Sequence, residues 1–122
     1  MSADELELRR ALTQADFDRF AALSGDDNPI HVDRAFSART RFGRTVSHGI
    51  LLVTVLRGLA ERLAPGAVLD RHEVRFPAPT FADEAMVFRV WRREDGAIGF
   101  SCTREADGVV TCDGRFATGA VA

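Results

Sequence analysis

The spacing of apolar residues changes twice along this chain, and each change marks a different kind of element. At the start, Leu6 and Leu8 alternate with Glu5 and Glu7, the period of two that sends side chains to opposite faces of a strand. An edge strand is expected over Glu5 to Leu12. The period then lengthens. In "TQADFDRFAALS" (13–24), Phe17, Phe20, Ala21 and Leu23 fall on one side of a helix. Thr13 stands as its N-cap, Asp16 completes a capping box, and Gly25 suits the left-handed position after its last turn. A polar loop follows, and "RAFSARTRF" then reads as a short helical stretch that stops at Gly43.

Ser47 to Leu63 is the strongest helical stretch. Ile50, Leu51, Val53, Thr54, Val55, Leu56, Leu59 and Leu63 leave almost no polar face over three turns, so the helix is expected inside the fold, and Pro65-Gly66 ends it. Beyond it the period returns to two. Val68 to Phe76 reads as a strand running into "PAP". Met86, Phe88 and Val90 alternate up to Asp95-Gly96, a two-residue hairpin signal; Ile98, Phe100 and Cys102 alternate up to a second, Asp107-Gly108. Val110, Cys112 and Phe116 mark the last strand. Three strands joined by hairpins, one before them and an early edge strand give an antiparallel sheet of about five. The expected class is α+β, a curved antiparallel sheet wrapped around one long buried helix, as a single domain over residues 1–122.

Composition narrows the function classes. Apolar residues are 46% and charged residues 28%, ordinary for a globular protein. A net charge of −2 gives no electrostatic case for nucleic acid or anionic lipid as partners. "GILLVTVLRGLA" is too short for a membrane span and carries Arg57, and "MSADELELRR" is acidic with no apolar core of a signal peptide. Cys102 and Cys112 have no metal-type spacing; free thiols and a cytoplasmic location are expected, with a cross-strand disulfide also compatible with the spacing. There is no repeat, low-complexity tract or long linker.

Two stretches carry more polar chemistry than folding requires. In "LSGDDNPIHVD" (23–33), Pro29 fixes a bend and pushes Asn28 toward an extended conformation, so Asp26 and His31 can meet across it. A carboxylate and an imidazole at one point can activate a water and move a proton; the plainer reading is a capped helix end with surface acids. In "FGRTVSHGILL" (42–52), Ser47, His48 and Gly49 stand at the start of the apolar helix, where free N–H groups favour an anion. Gly49 would let a carbonyl approach the backbone closely. The plainer reading is that Ser47 is an N-cap and Gly49 a packing position.

Together, "F-x-x-L-S-G-D-x-N-P-I-H-x-D" and "F-G-x-x-V-x-H-G-x-L" resemble the signature of the MaoC-like (R)-specific enoyl-CoA hydratases. "RFPAPTFADE" resembles that family's later "F-x-x-P-v-x-x-G-D", with Ala82 in the usual glycine's place. The resemblance implies a hot-dog fold and reversible hydration of trans-2-enoyl thioesters to (R)-3-hydroxyacyl thioesters. It implies Asp26 and His31 as the catalytic pair around one water, and Gly49 as the oxyanion amide. Asn28, Ser47 and His48 are the candidate substrate-binding residues, Asn28 by tying the loop and His48 by orienting the helix entry. No metal or redox cofactor is required. The substrate is carried on coenzyme A or acyl-carrier protein, and a homodimer or higher homo-oligomer is expected because a lone sheet of this kind leaves edges uncovered. Thioester hydrolysis, or service as a non-catalytic partner subunit, are the alternatives. Asp27 and His72 are expected at the surface, and Asp33 as a helix cap. Arg39, Arg41 and Arg44 are either a solvated edge or a phosphate contact, and a metal site from His31, Asp33 and His48 is conceivable without matching a recurring ligand spacing.

Overall fold

A computed structural model describes residues 4–118. Its strands are β1 (Glu5–Ala11), β2 (Arg71–Arg75), β3 (Ala85–Arg92), β4 (Ile98–Arg104) and β5 (Val110–Ala117). They pair antiparallel in one sheet of order β1-β3-β4-β5-β2. The helices are α1 (Gln14–Ser24), α2 (Pro29–Val32), α3 (Arg34–Ala38) and α4 (Gly49–Leu63). Alternate residues of the three central strands, Met86, Phe88, Val90, Ile98, Phe100, Cys102, Cys112 and Phe116, point to one face and are at most 3% exposed. Against them α4 sets Leu52, Leu56, Leu59, Ala60 and Leu63, the i, i+4, i+7 row of a helix. Each leucine of that row stabilises the fold by roughly 1.5–3 kcal/mol through burial. The expected α+β hot-dog arrangement is what forms, with β1 at one edge.

α1 begins as expected. The Asp16 N–H donates to Thr13 Oγ1 at 3.2 Å and the Thr13 N–H returns to Asp16 Oδ2 at 2.9 Å. That main-chain donor is the chief reason the Asp16 carboxyl is held below its ordinary value. Gly25 closes the helix at φ 82° with its N–H on Ala21 O.

Several boundaries differ from the sequence expectation. α4 starts at Gly49, not Ser47, because the Ser47 N–H is taken by Thr80 O at 2.7 Å beside a bridge between Val46 and Phe81, which keeps the chain extended. Nor is α4 covered all round: Ile50 is 51% exposed and Thr54 is exposed, and both lie on a stripe continued by the Arg57–Glu61 ion pair. β2 covers only Arg71–Arg75, since its sole neighbour, β5, ends opposite Arg71 at Ala117. The two Asp-Gly signals mark turns of greater length than two residues. The first is Glu94–Gly96, with the Arg93 N–H on Ala97 O and Gly96 at φ 85°. The second is Glu105–Gly108, closed by the Gly108 N–H on Arg104 O. In both, the aspartate accepts from the residue two positions on, as short polar side chains do in turns.

The left-handed residue of "RFPAPTFADE" is Asp83 at φ 66°, not Ala82, which is buried. The family's glycine place therefore falls on Asp83, one position later than expected. Aspartate is among the few residues that adopt this conformation with modest strain. Cys102 and Cys112 face each other across β4 and β5 as free, fully buried thiols, so the cross-strand disulfide is not formed. Burial pushes Cys102 up to about 11 and Cys112 up to about 12. Among the described residues no helix is long and apolar enough to cross a membrane.

Because Asp83 is exposed, replacing it removes no packing. Asp83→Gly is expected to raise stability by about 1 kcal/mol, and Asp83→Val to lower it by at least as much. Urea unfolding midpoints of the two variants measure this.

Candidate active site

The Asp26–His31 pair is assembled by a chain of local hydrogen bonds. Ser24 Oγ donates to Phe20 O at 2.7 Å and accepts the Asp26 N–H at 3.1 Å, turning the chain sharply off α1. Asn28 is extended, at φ −51° and ψ 132°, and its Oδ1 accepts the Ile30 N–H at 3.2 Å, so it caps α2 while Pro29 takes the first helical position. The supposed loop thus contains a one-turn helix. His31, on that turn, is brought back over Asp26, with Nε2 3.8 Å from Asp26 Oδ2.

The other ring nitrogen fixes the tautomer. His31 Nδ1 lies 2.7 Å from Val46 O, and a carbonyl oxygen can only accept, so Nδ1 carries the hydrogen. In the neutral ring Nε2 is then a bare acceptor facing a carboxylate acceptor. At 3.8 Å the two do not bond directly, but one water donating to each would span the gap. The backbone behind is clamped twice. The Val46 N–H donates to Ile30 O at 3.0 Å, and Gln14 Nε2 donates to His31 O at 2.9 Å while Gln14 Oε1 accepts from Thr45 Oγ1 at 2.6 Å. Gln14 and the buried Thr45 escaped the sequence reading. Their only signal is negative: polar residues that neither the helix pattern nor a cap requires.

His48 lines the cavity beside the pair but is almost wholly buried beneath the two side chains. Its ring is 2% exposed, Nε2 lies 2.8 Å from the Asp26 carbonyl oxygen, and its plane stacks on His31 with centroids 3.9 Å apart. Phe20 meets it edge-on from behind at 4.9 Å. Desolvation holds its pKa below the ordinary value, and the neighbouring His31 adds to the effect. Ser47 also lines the cavity, is buried and donates its hydroxyl to His48 O, and the N-cap position of α4 falls on His48 instead of Ser47.

Gly49 opens α4, and its N–H has no main-chain acceptor among the described residues. Its lack of a side chain has a different cause from the one expected. A Cβ there would come 2.7 Å from Phe76 Cζ, so the space beside the α-carbon belongs to the Phe76 ring. Asp26, His31, Gly49, Phe76, Leu52 and Thr111 all line one cavity of about 540 Å³. Asp26, His31 and Gly49 are therefore gathered on one cavity, while Asn28, which does not line it, shapes the loop beside it.

The remaining candidates separate. Asp27 and His72 are exposed, and Asp33 Oδ1 caps α3 through the Phe36 N–H. Among the described residues, the group able to approach a metal is Asp26, His31 and His48, whose donor atoms lie within 4.8 Å, and not the set with Asp33. Each histidine gives one nitrogen to a carbonyl oxygen, His31 Nδ1 to Val46 and His48 Nε2 to Asp26, which leaves His31 Nε2 and His48 Nδ1 as the bare nitrogens of the group. Arg44 is engaged structurally, with Nη2 on Ala82 O at 2.8 Å and its guanidinium over Phe81, whereas Arg41 lines the cavity and Arg39 is exposed.

The depressed His48 pKa has a measurable sign. The unfolded chain binds this proton near the ordinary value of 6.5 and the folded chain binds it less readily. The associated stability is complete above that value and is lost as pH falls through the lower, folded one, with a slope of at most about 1.4 kcal/mol per pH unit. Asp16, Glu73 and Asp95, whose pKa values are lowered from 3.8, 4.5 and 3.8, act only in the more acid range. Melting temperatures taken between about pH 7 and pH 5 should fall for the wild type and stay flatter for His48→Gln. Equal slopes would remove His48 as the source.

The MaoC like domain family matches residues 3–111. The chain is 36% identical over 115 residues to the (R)-specific enoyl-CoA hydratase of Aeromonas caviae, a match covering 85% of this chain and 86% of that enzyme. It is 38% identical over 74 residues to the 3-hydroxybutyryl-CoA dehydratase of Methylorubrum extorquens, covering 59% of this chain and 47% of that one. The solved structure of the (R)-hydratase from A. caviae involved in PHA biosynthesis superposes with a TM-score of 0.83 at 28% identity, over 95% of this chain and 94% of that one. With its fold, its loop geometry and these matches in agreement, the chain belongs to the MaoC-like family.

Proposed function

We propose that this chain catalyses the reversible addition of water to trans-2-enoyl thioesters, giving (R)-3-hydroxyacyl thioesters. The observation that carries the reading is the 3.8 Å gap between His31 Nε2 and Asp26 Oδ2, opening into the cavity that Gly49 also lines. A water held in that gap would offer its oxygen to C3. As the carbon–oxygen bond forms, the pair takes one proton from the water and a proton is delivered to C2 on the same face. Negative charge then gathers on the thioester oxygen, where the Gly49 N–H is the stabilising donor. Dehydration is the same path reversed. Asn28 keeps the loop in shape, and neither Ser47 nor a metal or redox cofactor takes a step. The reactions named for the A. caviae and M. extorquens relatives support the reading.

The substrate is an acyl thioester of coenzyme A or carrier protein, and its location is cytoplasmic, in keeping with two unoxidised cysteines. A second copy of the chain is the proposed partner. Exposed Ile50 lies on the open face of α4, exposed Phe76 follows β2, and β2 itself is a sheet edge with one neighbour. Apolar residues so placed beside a free edge favour an isologous contact.

Incubation with crotonyl-CoA tests the reaction: hydration bleaches the enoyl absorbance without releasing thiol, hydrolysis releases thiol, and a non-catalytic subunit does neither. Asp26→Asn should lower kcat by about 100-fold or more while leaving the melting temperature nearly unchanged. His31→Ala should lower kcat on the same scale and also lower the melting temperature, because it removes the bond to Val46 O and the stack on His48. Full activity in either variant would remove that residue from the pair. Gly49→Ala should displace the Phe76 ring and lower turnover in the wild-type background, with a much smaller effect when Phe76 is already alanine. Steady-state rates of the four proteins in that cycle give the coupling.

A further inference from the structure

The hydration reading accounts for Asp26, His31 and Gly49 but leaves a fully buried imidazole beside them unexplained. His48 lines the cavity but takes no step in that reading, its Nδ1 is buried with no hydrogen-bond partner among the described residues, and yet it lies against both members of the pair. An unpaired buried acceptor costs about 1–3 kcal/mol, so something else must favour histidine at this place.

The contacts point to what that is. Nε2 faces the main-chain oxygen of Asp26 at 2.8 Å, and since a carbonyl only accepts, Nε2 carries the hydrogen and Nδ1 is bare. One edge of the ring therefore holds the backbone of the carboxylate residue. One face of the same ring lies under His31 at 3.9 Å with 23° between the planes. Phe20 and Phe17 of α1 meet the ring edge-to-face, at 4.9 and 6.5 Å. A single rigid plane is thus fixed to the core on one side and touches both partners of the water-binding gap on the other. Its charge state is also one-sided. A proton on Nδ1 would be a buried cation stacked on His31, and among the described residues the charged or titratable groups acting on the ring are His31 and Asp26.

We infer that His48 is a positioning residue that sets the separation of Asp26 and His31, its Nε2–H pinning the Asp26 backbone while its ring forms the floor beneath His31. The inference rests on the hydration reading for its kinetic consequence, though not for its geometry. Two ring functions are involved, and two substitutions divide them. His48→Phe keeps the flat floor and loses the donor. His48→Gln keeps a donor and loses the floor.

The experiment pairs crotonyl-CoA kinetics with nitrogen-15 imidazole spectra, which are tractable in a chain with three histidines. In the wild type, His48 should show hydrogen on Nε2 only and His31, when neutral, on Nδ1 only. Both variants should lower kcat by roughly 10- to 100-fold, the scale of a misplacement near 1 Å, with KM within about twofold of wild type. His48→Gln should also blur the single His31 tautomer. A raised KM with kcat intact would make His48 a substrate contact and overturn the inference, as would unchanged kinetics in both variants. A wild-type His48 carrying its hydrogen on Nδ1 overturns it without any variant, which covers the case in which a substitution prevents folding. A wild type that fails to hydrate crotonyl-CoA counts against the hydration reading alone, and the spectra still decide the geometry.

Discussion

The hydrogen bond from His31 Nδ1 to the Val46 carbonyl decides which nitrogen the cavity receives. Imidazole has two ring nitrogens of opposite hydrogen-bonding sense in its neutral form, and fixing one fixes the other. Val46 can serve because it is itself held on two sides, through its N–H to Ile30 O and through the bridge to Phe81. The bridge also delays the start of α4, which brings His48 and Gly49 to the cavity at their present height. Were the Val46 carbonyl free to turn, the pair, the stacked ring and the helix entry would lose their common reference.

Much of this was legible from residues alone, for definable reasons. The capping box of α1 and the inward row of β3 and β4 depend on local chemistry and on a period of two, so the sequence carries them completely. The Asp-Gly pairs located the turns correctly because aspartate accepts and glycine takes positive φ, but turn length depends on where the ladders close, which is a property of strand pairs. β2 is shorter than its apolar pattern suggests for the same reason. α4 begins later than its apolar run suggests because Ser47 resembles a cap, and only distant partners, Thr80 for the Ser47 N–H and Phe81 across the bridge to Val46, keep that stretch extended.

At the site, the motif supplied Asp26 and His31, whereas the support behind them was invisible. Gln14 and Thr45 come from segments far apart in sequence, and nothing local announces that their side chains meet. Gly49 suggests room for a carbonyl, yet Phe76 occupies the space beside its α-carbon. In each case a single sequence reports the residue type that a position tolerates but not the neighbour that imposes it. The arginines illustrate the same point. Arg44, Arg92 and Arg104 reach carbonyl oxygens of Ala82, Leu63 and Pro79. Planar guanidinium groups suit such carbonyl contacts, so these charges serve the fold.

The paired thiols inside the sheet have a practical consequence. Thiolate is the reactive form of cysteine, and with values pushed to about 11 and 12 almost none exists near neutrality. Folded protein should stay silent toward thiol-specific dyes, so any colour that develops with an acyl-CoA would come from the released carrier. The same dyes, once denaturant opens β4 from β5, would count unfolded molecules two sulfurs at a time.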